Sequence, residues 1–232
     1  MNPPVRTDWL PIAEAFGGHL ALPPAGRGPG LLLWQEIFGV NEHIRAVAEQ
    51  YALAGFVVLA PDAFWRTAPR VSLGYEAEDR QRGIALMGAM TPEATDADLH
   101  AALAALRAHP AVDGARIGSV GYCLGGRLAY LTAATGRTDA AVAYYGGGIQ
   151  SMLDRAGGLR GGIQFHYAGQ DDHIPPEAVE RVRAAVSGRD AEVHVYPGSR
   201  HGFNCWARGT YHPASAALAF GRSLAFLAQR LF

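Results

Sequence analysis

Gly121-Tyr122-Cys123-Leu124-Gly125-Gly126 stands between two unlike stretches of chain. Ala115 to Val120 precedes it, holds Ile117 and Val120, and reads as a buried strand. Arg127 to Thr135 follows it, is rich in Ala and Leu, and reads as a helix. Strand, glycine, any residue, nucleophile, any residue, glycine, helix is the order of a nucleophile elbow, here with cysteine where serine is usual. The turn demanded is tight, and side chains at Gly121 and Gly125 are expected to collide with neighbouring backbone. Such a turn lifts Cys123 above the carboxyl end of the strand and sets its sulfur at a helix start, where amide groups favour thiolate over thiol. The plainer alternative is a buried cysteine in a Gly-rich strand-to-helix turn.

The rest of the chain decides between them. Its 232 residues suit one large α/β domain or two small ones, and a hydrophobic content of 49% supplies a sizeable core. A net charge of −1 points to neither nucleic acid nor an anionic membrane. Cys123 and Cys205 are the only cysteines, which is no disulfide framework. Chemistry at Cys123 needs a free thiol, so a cytoplasmic setting is expected. Met1 to Leu10 carries prolines and an Asp but no apolar core of a signal peptide, and no run is long and apolar enough to span a bilayer.

Taken in order, Met1 to Pro24 reads as a loose start with a short strand or hairpin around Ala13 to Ala21. Pro23 to Gly30 is a turn whose glycines lack phosphate-loop spacing. Gly30 to Trp34 and Phe56 to Ala60 are short apolar runs of the kind buried in parallel sheets, with a helix over His43 to Leu53 between them, capped by Gly55. Gln35 to Asn41 is a loop. Ala63 to Thr91 is a looser excursion with a polar helix near Glu76 to Met87, well placed to cover a site. A helix over Pro92 to His109 leads into the elbow strand. Beyond the elbow come strands at Asp139 to Tyr145, Gly162 to Tyr167 and Glu192 to Tyr196. Helices are expected at Pro176 to Val186 and Ala214 to Leu231. This alternation implies a single α/β domain over residues 1–232, a mainly parallel central sheet with helices on both faces.

A thiol with a reference pKa near 8.5 is only a few per cent ionised at neutral pH, so it needs a base, and the base needs a carboxylate to orient it. Ala168-Gly169-Gln170-Asp171-Asp172-His173-Ile174-Pro175 follows one strand and Pro197-Gly198-Ser199-Arg200-His201-Gly202-Phe203 follows the next. Both lie just past strand carboxyl ends, the rim that also carries Cys123. The order nucleophile, acid, histidine is that of α/β-hydrolases. Side chains of adjacent aspartates diverge, so either Asp171 or Asp172 faces the histidine while the other caps or solvates. His173 competes with His201 as base. A metal on these histidines lacks support, because no two-His helical spacing or Cys pair is present.

These motifs together resemble the dienelactone hydrolase (carboxymethylenebutenolidase) family of α/β-hydrolases, across most of the chain. The anchors are Gln35-Glu36-Ile37-Phe38-Gly39-Val40-Asn41, the elbow, Tyr144-Tyr145-Gly146, the Asp171 to Pro175 turn and Arg200-His201. The resemblance implies Cys123 as nucleophile, Asp171 as acid and His201 as base. It implies Glu36 as resting partner of the thiol, the amides of Ile37 and Leu124 as oxyanion hole, and Arg82 and Tyr145 in the substrate pocket. It implies a cofactor-free, metal-free hydrolysis of a carboxylate-bearing unsaturated lactone through a thioester, by a monomer or weak oligomer acting on a small anionic molecule. Two departures stand out. The place of a second carboxylate-binding arginine is Cys205, with Arg208 displaced along the chain, and an aromatic pair after Arg82 is replaced by Leu86 and Ala89. The altered pocket admits a broader esterase or thioesterase. A thiol redox sensor with Cys205 as resolving thiol would leave Asp171 and His201 idle, and a silent binding module would leave all three idle.

Overall fold

The computed structural model describes residues 4–232, without the side chain of Ala115. The loose start expected over residues 1–3 lies outside the described residues. The chain divides into two compact units, Met1–Gly118 and Ser119–Phe232.

The first unit begins with a hairpin, β1 (Arg6–Ala13) and β2 (Phe16–Leu22), paired antiparallel from Arg6↔Leu22 to Ala13↔Phe16. The hairpin therefore starts earlier than its sequence suggests, because β1 is a mostly exposed edge strand whose RTDWLPIA residues show no burial period. β3 (Gly28–Trp34) is buried throughout, α1 (Glu42–Leu53) follows, and β4 (Val57–Pro61) is again wholly buried. β3 and β4 pair in parallel, Gly30↔Val57 to Leu32↔Leu59, while β2 pairs antiparallel with β4. Buried on both faces, β3 and β4 read as unbroken apolar runs. Asn41 caps α1 by accepting the Ile44 amide at 3.2 Å, and Gly55, at φ 103°, ends it. The excursion holds α2 (Ala77–Gly88); then come α3 (Pro92–Ala108), with Thr91 as N-cap and Pro at its first position, and β5 (Val112–Tyr122), which crosses into the second unit.

The second unit continues with α4 (Leu124–Ala134), β6 (Ala140–Tyr144), two short 3-10 turns at Ile149–Ser151 and Leu153–Gly158, β7 (Gly162–Ala168), α5 (Pro176–Ala185), β8 (Ala191–Tyr196) and α6 (Pro213–Leu231). β6 and β7 pair in parallel from Ala140↔Gly162 to Tyr144↔His166, and β7 and β8 from Ile163↔Ala191 to Ala168↔Tyr196. Their carboxyl ends therefore share one rim. A polar cluster is buried beside it. His166 meets the Tyr196 hydroxyl at 2.8 Å, Gln164 Oε1 at 2.7 Å and Ser223 Oγ at 3.0 Å, and Ser223 meets the Tyr144 hydroxyl at 2.7 Å. Burial, with the nearby His194 and Arg222, keeps the His166 imidazole far below its ordinary pKa, so it is neutral and acts as a hydrogen-bonding spacer between β7, β8 and α6.

Close approach explains two of the elbow glycines. A Cβ on Gly121 would run into the Gly125 carbonyl, and one on Gly126 into the Tyr144 carbonyl, with the Gly146 backbone 3.0 Å away. Gly126 is thus a tight position as well, where α4 meets the end of β6. Overpacking against backbone cannot relax by rotamer change, so Gly126→Ala should cost about 1–3 kcal/mol in urea unfolding. Gly221→Ala, in α6 where a Cβ meets nothing within 4 Å, should instead stabilise, by about 0.4–1 kcal/mol. Equal midpoints for both variants would contradict this packing.

Candidate active site

The elbow fixes the first group. Cys123 holds φ 57° and ψ −115°, a strained backbone for a residue with a Cβ, directly before α4. Such a conformation costs on the order of 1–3 kcal/mol and persists only when neighbours enforce it. Here the Cys123 amide donates to the Tyr144 carbonyl at 3.0 Å, and the Cys123 carbonyl accepts the Gly126 amide at 3.0 Å. Cys123 is half-buried, while Cys205 is fully buried; both are free thiols.

The second and third groups come from the ends of β7 and β8. Asp171 follows β7 by three residues and His201 follows β8 by five. The His201 Nδ1–H donates to Asp171 Oδ2 at 2.8 Å, and the other carboxylate oxygen accepts the His173 amide at 2.9 Å. Both oxygens are held, and the Asp171 side chain is 0% exposed against 11% for His201. The Cys123 side chain also acts on the His201 imidazole. Burial alone would depress the imidazole; attraction to Cys123 and the bonds to Asp171 outweigh it and raise the His201 pKa to about 10. Asp172 points elsewhere: its side chain is 76% exposed and meets Arg200 at 3.4 Å. His173 is exposed, its ring lying edge-on to His201 at 5.1 Å between centroids. Tyr145 sits at φ 36° with its ring 5.1 Å from that of His201, and is wholly buried. Arg208 packs its guanidinium over Gly202, beside His201.

A raised pKa ties the protein's stability to pH. Below the ordinary histidine value of 6.5 both folded and unfolded chains carry the proton, and the ionic contribution is complete. Between 6.5 and about 10 only the folded chain keeps it, so this contribution is lost as pH rises through that window. Urea unfolding of wild type and His201→Gln should show a stability gap that narrows from pH 6.5 to 10. A gap constant across that range would mean that the folded imidazole is neutral.

In the first unit, the Gln35 to Asn41 loop is held by three of its own residues. Gln35 Oε1 accepts the Ala63 amide at 3.2 Å. Gly39 adopts φ 80° where a Cβ would strike the Val71 carbonyl. The Asn41 side chain donates to the Leu73 carbonyl at 3.1 Å and the Tyr75 hydroxyl at 3.0 Å. Glu36 is wholly buried and Ile37 nearly so. α2 docks on this loop through Gly83, whose missing Cβ makes room for the Ile37 carbonyl, and Arg82 stands exposed on the same helix. Leu124 opens α4 next to Cys123.

Sequence comparison gives the same assignment as the elbow. A sequence model described as the dienelactone hydrolase family matches residues 16–231. The chain belongs to the dienelactone hydrolase family. It is 35% identical over 217 residues to a carboxymethylenebutenolidase of Pseudomonas putida, covering 93% of this chain and 92% of that relative. It is 33% identical over 216 residues to carboxymethylenebutenolidase 1 of Cupriavidus pinatubonensis, covering 92% and 91%. A solved structure from Klebsiella pneumoniae described as a dienelactone hydrolase superposes with a TM-score of 0.86 at 30% identity, over 97% of this chain and 99% of that one. This family member is therefore a hydrolase of the α/β type, with a mostly parallel central sheet and helices. Among its described residues no helix is long and apolar enough to cross a membrane.

One group had no signal in the sequence. Arg127 reads there as the opening of a helix, yet the structure brings its guanidinium into the electrostatic reach of Cys123.

Proposed function

We propose that this dienelactone hydrolase family member opens a carboxylate-bearing unsaturated lactone, or a related ester, through a thioester on Cys123. The observation that carries the reading is the sealed His201–Asp171 pair at 2.8 Å, whose imidazole is also under the influence of Cys123. A buried carboxylate on Nδ1 fixes the tautomer and leaves Nε2 for proton transfer. Carboxymethylenebutenolidase is the activity named for the relatives from Pseudomonas putida and Cupriavidus pinatubonensis. Residues 1–232 act as one domain, since the family match runs through the boundary between the two units.

The reaction divides into two displacements. At rest the thiol is paired with Glu36, where like charge disfavours a thiolate and protects the sulfur. Entering substrate displaces Glu36, which takes the thiol proton. The thiolate attacks the lactone carbonyl, and the ring C–O bond breaks with its electrons on the departing oxygen. The amides of Ile37 and Leu124 hold the oxyanion, a donation typically worth about 2.7–4 kcal/mol each. His201, protonated at rest, gives its proton to the departing oxygen; once neutral it takes a proton from water, which attacks the thioester carbonyl, and the C–S bond breaks with its electrons on sulfur, which recovers the proton held by Glu36. Arg82 attracts the substrate carboxylate, and Tyr145 shapes the pocket around His201. A free nucleophilic thiol accords with a reducing cytoplasm, and the chain acts as a monomer or weak oligomer.

Paired anionic and neutral lactones and esters test this on wild type and Arg82→Ala. The variant should raise KM about tenfold or more for the anionic member of each pair, as loss of a charge-assisted contact would. Equal losses on both members would make Arg82 structural. Wild-type turnover confined to neutral esters would favour the broader esterase.

A further inference from the structure

Arg127 lies in the first turn of α4, four residues beyond its N-cap Cys123. Long helical side chains lean back toward the N-terminus, here toward the elbow. Its guanidinium reaches the turn that ends β6: Nη1 lies 3.2 Å and Cδ 3.5 Å from where a Cβ of Gly148 would stand. Beside it, a Cβ on Gly147 would meet nothing within 4 Å, so the turn leaves open space. Burial depresses the Arg127 pKa and Cys123 partly restores it. By contrast, Arg66 is neutralised by Asp98 at 2.8 Å and Arg230 by Asp190 at 2.8 Å. A half-buried cation without a carboxylate is costly unless an anion arrives to share the site. His201 already faces the sulfur, whereas the five donors of a guanidinium match two carboxylate oxygens.

We propose that Arg127 and the turn at Gly147-Gly148 form a carboxylate subsite beside Cys123, which binds the acid group of an anionic acyl substrate. The subsite deepens the hydrolase reading above and rests on it for the identity of the substrate, but not for its own test.

That test is alkylation of Cys123 by two reagents of like size, anionic iodoacetate and neutral iodoacetamide. In each, the thiolate displaces iodide; one S–C bond forms as the C–I bond breaks. Cys205 is buried, and mass analysis of the modified peptide, with Cys123→Ala as blank, assigns the site. In Arg127→Gln the iodoacetate rate should fall about tenfold or more relative to iodoacetamide, as expected for a lost charge-assisted pair, with Arg127→Lys between. Equal slowing by both reagents would show that Arg127 serves the thiolate itself and would overturn the subsite, as would no slowing of either. Paired anionic and neutral esters should show the same selective loss in kcat/KM. A charge preference in alkylation, erased in Arg127→Gln, on a protein that turns over neither ester would leave the subsite standing and sink the hydrolase reading instead.

Discussion

Cys123→Ala should lose lactone and ester hydrolysis down to the uncatalysed background while unfolding like the wild type. The expected loss in kcat is on the order of 10⁶-fold, the scale on which removal of a nucleophile from a comparable triad acts. The size follows from what sulfur supplies. Without it no thioester forms, and the reaction falls back on water attacking the substrate directly. His201 could then still act as general base, but that water would lack the position the elbow gives to the sulfur. The fold should survive because the strain at φ 57° is the same for alanine as for cysteine, and the amide of residue 123 still donates to the Tyr144 carbonyl. Steady-state kinetics together with urea unfolding separate the two effects. Retained turnover in a folded variant would end nucleophilic thiol catalysis here. It would not restore the redox alternative, in which the resolving thiol would be Cys205, a wholly buried side chain. Mild peroxide followed by mass analysis without reductant tests that route directly.

What could be read from the sequence follows from what is local. The elbow declares itself because its glycines answer to contacts within five residues or to the end of the next strand: Gly121 faces Gly125, and Gly126 faces Tyr144. β3, β4, β6 and β7 declare themselves because burial on both faces writes unbroken apolar runs. β1 does not, being an edge strand with Pro11 in it and most of its side chains in solvent. In the Gln35 to Asn41 stretch the motif is long but mixed. Gln35, Gly39 and Asn41 hold the loop in place, through contacts with residues distant in the chain that composition does not announce. Arg127 was illegible for a different reason. An arginine in the first turns of an Ala/Leu helix reads as a solvated charge, and the burial that makes it unusual depends on a glycine turn some twenty residues away. The choice between Asp171 and Asp172 is likewise a matter of turn geometry, to which composition is blind.

That choice gives the second large effect. Asp171→Asn should lower kcat by about 10²–10⁴-fold, toward the upper end if the amide turns its NH₂ to Nδ1 and forces the wrong imidazole tautomer. Asp172→Asn should change it less than about threefold, the scale of an exposed surface pair. The contrast rests on how each carboxylate is used. Asp171 is sealed from solvent, with one oxygen on His201 and the other on the His173 amide, so its amide analogue can keep the turn only by presenting its NH₂ to the ring. Asp172 is 76% exposed and pairs with Arg200, itself 61% exposed. Because Asp171 also contributes to the raised His201 pKa, its replacement should bring the imidazole down toward 6.5 and move the basic end of the stability window with it. A merely structural Asp171 would lower stability without shifting that window. Loss of rate in Asp172→Asn exceeding that in Asp171→Asn would transfer the role of acid to Asp172, and would require the turn after β7 to rearrange by one residue in the working enzyme.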